Sequence, residues 1–390
     1  MSTANHQKID FDSIPERRGG DSHKWNRFAS GSQDVIGAWV ADMDFPAPDP
    51  VLDAIRQRLD GPAMGYSEPP LELIIVMLER LQKLYNWRVD PSWLVALPGV
   101  LPGLYGATRA VGDPGDAIIT QSPNYHHFYG AANYSERQPL GLKHRLSNGR
   151  WEMDLDHLNH LATSGARSFL LCNPHNPLGR ILPQAELEAA AQACLNNDIV
   201  ICADEIHADL LLDTDKKHIP IASLSTEIEQ NSITLLSPSK AFNLAGVGGF
   251  ALAIVPNPDL RGALERQLHG MAVHPGALTY AAALAAYRDC DSWLAQLQQY
   301  LRGNRDYLEQ QIAAIDGLSM AHVEATFLAW INISELQLDK PFEHFLAHGV
   351  ALSDGADMGD GNYLRLNFGC TRTTLEEMLS RITTAVNKCT

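Results

Sequence analysis

Short apolar runs rich in β-forming residues recur from about residue 93, and helix-period segments such as Gln184–Asn196 separate several of them. Apolar strands that alternate with helices are typical of a mostly parallel sheet whose two faces are both covered. The predicted strands are Leu94–Leu97, Ala117–Thr120, Ser168–Cys172, Ile199–Ala203, Ile233–Ser237 and Phe250–Val255. Ligands of such sheets bind at the carboxyl ends of the strands, so the loops that follow these runs are the first place to look for chemistry.

The length of the chain and the pattern of its last third predict a second unit. A chain of 390 residues exceeds what one compact core usually holds. The last third contains a long amphipathic helix, two strands and a closing helix, predicted at Ser292–Ala314, Thr326–Ile333, Tyr363–Phe368 and Thr374–Val386. We therefore predict an N-terminal arm over residues 1–45 that packs with the small domain, a large domain over residues 46–288, and a small α+β domain over residues 289–390.

The composition excludes several classes of partner. The net charge of −16 argues against nonspecific binding to nucleic acid or to anionic membranes. Residues 1–12 are polar, and no segment approaches the 18 consecutive apolar residues of a membrane span. None of the six cysteines forms a Cys-x-x-Cys pair, so we expect free thiols in a reducing cytoplasm.

Lys240 follows the predicted strand Ile233–Ser237 and stands among hydroxyls and small residues. Burial at a strand end lowers the pKa of a lysine and makes its amine nucleophilic toward carbonyls. The hydroxyls of Ser237 and Ser239 can serve an anionic group beside it. An aldehyde cofactor that carries a phosphate, pyridoxal phosphate bound as a Schiff base, meets both needs. The alternative for this short motif alone is a surface turn.

Two further strand ends carry polar side chains that suit the same cofactor. Asn176 lies in Asn173–Gly179, where two prolines fix the backbone, and its amide can donate to a phenolate oxygen. Asp204 follows the strand Ile199–Ala203, and a carboxylate buried there needs a partner such as a protonated pyridine nitrogen. A helix N-cap is the alternative for Asp204.

Three other segments are candidates for binding. Leu97–Gly103 joins a strand to a helix, and the first free amides of that helix can bind phosphate; a simple turn is the alternative. Tyr125 lies at the mouth of a strand, where it can stack on a flat ring or serve as ordinary packing. Arg365, in an apolar strand pattern, needs an anion, either a substrate α-carboxylate or a structural partner. The adjacent His126 and His127 lack a third ligand at useful spacing, so no metal site is expected.

The order of these motifs resembles that of a known group of enzymes. Asn173–Pro177, Asp204–His207 and Ser237–Gly246 are similar to the motifs of fold-type I pyridoxal phosphate enzymes, the aminotransferase class I/II superfamily. Trp39–Phe45 and Asp204–Leu210 resemble the MalY/PatB branch of cystathionine β-lyases and cysteine-S-conjugate β-lyases. The resemblance covers about residues 8 to 388. It implies an α/β fold, with a large domain built on a mostly parallel seven-stranded sheet and a smaller α+β C-terminal domain.

The resemblance also implies roles for individual residues. Lys240 would bind the cofactor, Asp204 would pair with the pyridinium nitrogen, Asn176 would bond the ring oxygen, and Tyr125 would stack on the ring. Phosphate binding would come from the amides of Val100 and Leu101, from Ser237, and from Tyr66 of the neighbouring subunit, which makes the active unit a homodimer with shared sites. Arg365 would bind the α-carboxylate of a small amino-acid substrate, and His207 would stand in the cofactor site where aminotransferases have a tyrosine.

The implied activity is a C–S β-lyase that converts L-cystathionine or a related cysteine thioether to thiol, pyruvate and ammonia. Two departures from the aminotransferase pattern favour it: His207, which this branch shares, and Gly248 in place of a phosphate-binding arginine. Leu178 and Leu101 also depart from the common pattern, but remove no catalytic group. The rivals are an aminotransferase and a cofactor-binding regulator that holds a protein partner.

Overall fold

The computed structural model describes residues 8–29, 34–61 and 63–389. Predictions for residues 1–7 and 30–33 of the N-terminal arm, and for Thr390, lie outside the described residues. The helices are α1 (His23–Asn26), α2 (Asp49–Asp60), α3 (Leu71–Tyr85), α4 (Val100–Ala110), α5 (His126–Asn133), α6 (Leu155–Ala162), α7 (Gln184–Leu195), α8 (Thr226–Gln230), α9 (Pro258–Leu268), α10 (Ala277–Asp289), α11 (Asp291–Ile312), α12 (Pro341–Ala347) and α13 (Arg372–Asn387). None of the helices in these ranges is long and apolar enough to cross a membrane.

The strands alternate with these helices through most of the chain. They are β1 (Ile36–Gly37), β2 (Leu94–Leu97), β3 (Ala117–Ser122), β4 (Gln138–Ser147), β5 (Arg150–Met153), β6 (Ala166–Cys172), β7 (Val200–Asp204), β8 (Ser232–Leu236), β9 (Ala251–Ile254), β10 (Ser319–Met320), β11 (Leu328–Asn332), β12 (Val350–Ala351), β13 (Ser353–Asp354) and β14 (Tyr363–Asn367). All six strands predicted for the large sheet are present, with ends displaced by at most two residues.

The central sheet has eight strands in the order β2-β9-β8-β7-β6-β3-β4-β5. The pairs from β8 across to β4 are parallel, whereas β2–β9, β9–β8 and β4–β5 are antiparallel. The prediction of an α/β fold with a mostly parallel large sheet is confirmed, but its count of seven strands is wrong for the described chain. The short strand β5 pairs with the end of β4 and adds an eighth.

Burial explains why the centre of this sheet holds its shape. Every residue of β8 is buried, and so is every residue of β6 except Arg167 and of β7 except Val200. Their side chains enter two apolar clusters, one on each face of the sheet. Apolar burial of this extent is the main favourable term in folding, and it fixes the strand ends from which the polar loops project.

The last third forms a smaller antiparallel sheet of order β10-β11-β14-β13, packed with α11, α12 and α13. Within the N-terminal segment, β1 pairs in parallel with β12 of that unit, Ile36 opposite Val350. β12 is not a strand of the four-stranded sheet, but the backbone amide of Asn367 in β14 also donates to the Ala38 carbonyl. The described part of residues 8–45 therefore contacts both β12 and the small sheet. The domain boundaries at residues 45 and 288 stay a prediction.

Candidate active site

One cavity of about 820 Å³ lies at the carboxyl ends of the parallel strands and extends to the small sheet. It is the meeting point of loops that are far apart in sequence. The residues predicted from the sequence that line it are Val100, Leu101, Tyr125, Asn176, Asp204, His207, Lys240 and Arg365. Eight of the ten predicted site residues are therefore together. Seven of them end or follow strands of the large sheet, as expected for side chains at its carboxyl edge, and Arg365 comes from β14 of the small sheet.

Lys240 lies in the turn after β8, and its amine points into this cavity. The Lys240 Nζ donates to the backbone carbonyl of Ala41 at 2.6 Å. Burial lowers the pKa of the Lys240 amine to about 8, and the positive charge of Arg365 acts in the same direction. A larger fraction of neutral amine is therefore present near neutral pH than for an ordinary lysine, which is what attack on an aldehyde requires.

Asp204 is the last residue of β7 and is 6% exposed. One of its carboxylate oxygens accepts from the backbone amide of Ile206 at 3.0 Å. Burial raises the pKa of this carboxyl to about 6, although the Ile206 amide and the Lys240 amine both favour its charged form. A cationic group bound in the cavity would therefore stabilise the charged form of this buried carboxylate.

His207 follows Asp204 by three residues and is almost fully buried. Its pKa is lowered to about 3, first by burial and then by the positive charges of Lys240 and Arg365. The imidazole is therefore neutral at physiological pH. Its Nδ1 has no hydrogen-bond partner within the described parts of the chain.

Arg365 comes from β14 of the small sheet, lines the cavity and is 3% exposed. Its Nη1 donates to Asn176 Oδ1 at 3.0 Å, and its Nη2 donates to the Trp39 carbonyl at 2.7 Å and to Ser353 Oγ at 3.0 Å. The Nε has no hydrogen-bond partner in the described residues, and no carboxylate there forms an ion pair with this guanidinium. Burial lowers the pKa of Arg365 to about 10. The group stays charged at neutral pH and fits an incoming carboxylate.

The bond to Arg365 also fixes the direction of the Asn176 amide. Because Asn176 Oδ1 accepts from the guanidinium, its Nδ2 is the side that can donate to a ligand. Tyr125 lies at the N-cap position of α5, half-buried in the cavity wall, and burial raises the pKa of its phenol. A neutral tyrosine ring at this position offers a flat face for stacking.

The turn between β2 and α4 also lines the cavity. Gly99, with φ of +139°, precedes Val100, and no side chain of the described residues caps the first amides of α4. These amides and the helix dipole suit an anion such as phosphate. The backbone of Gly249 approaches this turn so closely that an added Cβ would lie 1.8 Å from the Pro98 carbonyl oxygen. Only glycine at residue 249 leaves the turn in place.

Two predicted residues lie outside the cavity. The Ser237 hydroxyl points away from the cavity and donates to the Phe250 carbonyl at 2.6 Å. The nearby Ser239 lines the cavity, whereas Ser237 does not. Tyr66 lies fully exposed at a second cavity of about 770 Å³, which shares Pro98 with the first. The roles assigned to both residues stay predictions. For phosphate binding within one chain, Ser239 is better placed than Ser237.

The sequence did not reveal what the segment Trp39–Phe45 does in the site. The Asn243 side chain, three residues after Lys240, donates to the carbonyls of Met43 and Phe45 and accepts from the Met43 amide. On the other side, the Asn367 amide donates to the carbonyls of Val40 and Asp42 at 2.7 Å. The segment is thus fastened between the Lys240 loop and β14. Its carbonyls orient both the Lys240 amine and the Arg365 guanidinium.

Ser353 was also missed. Its Oγ donates to the Trp39 carbonyl at 2.5 Å and accepts from Arg365, so it holds the guanidinium against the arm. A lone serine in a two-residue strand gives no sequence signal for such a role. Its role becomes visible from the structure, in which Ser353 pairs opposite Arg365 in the small sheet.

Comparisons with known proteins agree with this geometry. The family described as aminotransferase class I and II matches residues 38–382. Cystathionine β-lyase PatB of Bacillus subtilis is 32% identical over 97% of this chain and 100% of its own length. The crystal structure of OvoB superposes with a TM-score of 0.94 at 42% identity and covers 97% of this chain and 99% of that one. The PLP-bound C–S lyase of Staphylococcus hominis gives a TM-score of 0.90 at 27% identity, covering 97% and 98% of the two chains.

The cavity offers a separate group for each part of pyridoxal phosphate. The uncapped amides of α4 suit the phosphate, Lys240 suits the aldehyde, and the buried carboxylate of Asp204 suits the ring nitrogen. The Asn176 amide and the Tyr125 ring suit the phenolate oxygen and the ring face. The residues present therefore fit this cofactor. Arg365, which has no ion-pair partner among the described residues, remains available to bind a second anion.

Proposed function

The chain belongs to the class I and II aminotransferase family, and we propose that it is a pyridoxal-phosphate-dependent C–S β-lyase that cleaves L-cystathionine or a related cysteine thioether. The products are a thiol, pyruvate and ammonia. The observation that carries the proposal is full-length similarity to a protein named cystathionine β-lyase, in a chain whose predicted lysine, aspartate, asparagine and arginine line one cavity.

Different residues of the chain carry out different parts of this reaction. When bound, pyridoxal phosphate supplies an electron sink for the charge left on the substrate's α-carbon. Arg365 binds the α-carboxylate with a guanidinium that no protein carboxylate neutralises among the described residues. Lys240 holds the cofactor and, once released from it, takes the α-proton on Nζ, because burial already lowers the pKa of its amine. The negative charge of Asp204 keeps the cofactor nitrogen protonated.

Gly248 supports a lyase over an aminotransferase. It ends the short turn Ala245–Val247 with φ of +92°, a conformation that disfavours any side chain other than hydrogen. An added Cβ would also lie 3.1 Å from Thr279 Oγ1. An arginine at residue 248, the feature expected of many aminotransferases, would therefore be strained in this backbone.

The proposal includes a homodimer with shared active sites. The apolar side chains of Met64, Leu71, Met271 and Val273 are each more than half exposed and lie in the segments around the fully exposed Tyr66. Exposed apolar groups concentrated in this way are typical of an interaction surface. Tyr66 and Val273 line the second cavity, and Pro98 separates it from the first. A partner's Tyr66 would approach the phosphate end of the site through this side.

The six cysteines, all free and all but Cys389 buried, support a cytoplasmic location as part of the same proposal.

The proposal is tested by incubating the holoenzyme with L-cystathionine and no keto acid, and measuring pyruvate and free thiol. We expect both products in equal amounts. In a parallel reaction, L-alanine and 2-oxoglutarate should give glutamate only slowly, because amino-group transfer requires proton delivery to the cofactor carbon, a step that β-elimination does not use. Rapid glutamate formation with no thiol released from any cysteine thioether would make the aminotransferase the correct assignment.

A further inference from the structure

The outer part of the cavity carries two opposite charges that the chemistry described above does not use. Arg27, at the end of the short helix α1, and Asp357, in the turn Ala356–Met358 of the small domain, both line the cavity and are both exposed. Neither has an ion-pair partner in residues 8–29, 34–61 and 63–389. Most surface charges of this kind are merely solvated, so their surroundings decide whether they form a subsite.

Arg27 is held in place by aromatic rings. Its guanidinium carbon lies 4.9 Å from the ring centre of Trp39 and 5.5 Å from that of Phe28. Stacking on aromatic faces restricts a guanidinium and leaves its edge free to bind a carboxylate. The Trp39 carbonyl accepts from Arg365, so the wall that holds Arg27 is continuous with the group proposed to bind the α-carboxylate.

Asp357 lines the same cavity and lies close enough to His126 to favour the charged form of that imidazole. The pKa of His126 is nevertheless lowered, first by burial and then by the positive charges of His127 and Arg365. A neutral His126 does not compensate the carboxylate of Asp357. That carboxylate is therefore available for a cation on the ligand.

We infer that Arg27 and Asp357 form a subsite for the far end of the thioether, and that the preferred substrates carry both a carboxylate and an ammonium group beyond the sulfur. Arg27 binds the distal carboxylate, and Asp357 binds the distal ammonium. This inference rests on the proposed lyase function and names the substrate class within it: thioethers that join cysteine to a second amino acid, rather than S-alkyl cysteines.

Four thioethers test the inference: L-cystathionine with both distal charges, S-(2-carboxyethyl)-L-cysteine with only the carboxylate, S-(2-aminoethyl)-L-cysteine with only the ammonium, and S-propyl-L-cysteine with neither. The ratio of kcat/KM between variant and wild type is measured for each by pyruvate release. Because the same substrate is compared in both proteins, differences between the leaving thiolates cancel.

We expect Arg27→Gln to lower kcat/KM about fivefold for the two carboxylate-bearing thioethers and to change the other two by less than about twofold. Asp357→Asn should have the corresponding effect on the two ammonium-bearing thioethers. Arg88→Gln and Asp316→Asn make the same substitutions at exposed residues outside the cavity and should change none of the ratios.

Equal losses on all four thioethers, or no loss on any, would overturn the subsite while leaving the lyase proposal standing. Wild-type protein that releases pyruvate from none of the four would overturn the lyase proposal and the subsite with it.

Discussion

Replacing Arg365 by methionine should weaken substrate binding while leaving the stability of the folded protein nearly unchanged. Lowering the pKa of Arg365 from 12.5 to about 10 disfavours its charged form in the folded protein by roughly 3 kcal/mol at all pH values below 10. Methionine removes this unfavourable contribution but also removes the three hydrogen bonds to Asn176, Trp39 and Ser353, at about 1 kcal/mol each. The two contributions nearly cancel. We therefore expect the melting temperature of the apoprotein to change by no more than a few degrees.

Activity should respond quite differently to the same change. A buried substrate carboxylate that loses its guanidinium partner forfeits about 3 to 4 kcal/mol, which corresponds to a fall in kcat/KM of about 100- to 1000-fold. The assay is pyruvate release from a cysteine thioether, alongside thermal unfolding of the same sample. Arg137→Met is a matched control, since Arg137 is also buried and, within the described part of the chain, donates only to the carbonyls of Ser135 and Gly112. A kcat/KM for Arg365→Met within about threefold of wild type would refute the assignment.

Three further predictions follow from the same cavity. The rate at which the apoprotein captures pyridoxal phosphate, followed by absorbance, should rise with pH through an inflection near 8, because burial lowers the pKa of Lys240 to about 8 and only the neutral amine reacts; an inflection near 10.5 would contradict this. Asp204→Ala should retain some cofactor but lose at least about 100-fold in kcat. Near-normal turnover would show that Asp204 is not the partner of the cofactor's ring nitrogen. Mixing inactive Tyr66→Ala and Lys240→Ala subunits should restore part of the activity, since a hybrid dimer carries one intact site; no recovery after proven subunit exchange would place Tyr66 in its own subunit's site.

The sequence predicted best those site residues whose position depends on one strand end. Asn176, Asp204 and Lys240 each follow a buried apolar run, and strands of that kind in a parallel sheet bring their carboxyl ends together. Local pattern was therefore enough to place them in a common cavity. Arg365 was found for a related reason, because a charged side chain in an apolar strand must meet an anion.

Side-chain direction within a turn was harder to predict. Ser237 and Ser239 are equivalent in the sequence, but the Ser237 hydroxyl bonds the Phe250 carbonyl of the neighbouring chain segment, which leaves Ser239 in the cavity. The choice depends on a contact between residues 13 apart that no local pattern reveals. The same holds for Ser353 and for the carbonyls of Trp39 and Ala41, which reach the site only through the fold.

The strands β4 and β5 were missed because they carry no continuous apolar run. Most residues of β4 are exposed or half-exposed, and only Leu142 and His144 are buried. At the edge of a sheet one side of a strand stays in solvent, so the hydrophobic signal is weak. The six strands predicted from apolar runs, together with β4 and β5, make up the eight strands of the large sheet.

The central claim, a lyase rather than an aminotransferase, is tested most directly by counting thiol released per bound cofactor. Holoenzyme of known pyridoxal phosphate content is given excess L-cystathionine with every keto acid removed, and free thiol is measured over time. A lyase regenerates its cofactor in each cycle, so we predict many equivalents of thiol per cofactor, matched by pyruvate and absent in Lys240→Ala. An aminotransferase would stop after one amino-group transfer per cofactor and release no thiol, and that result would contradict the account.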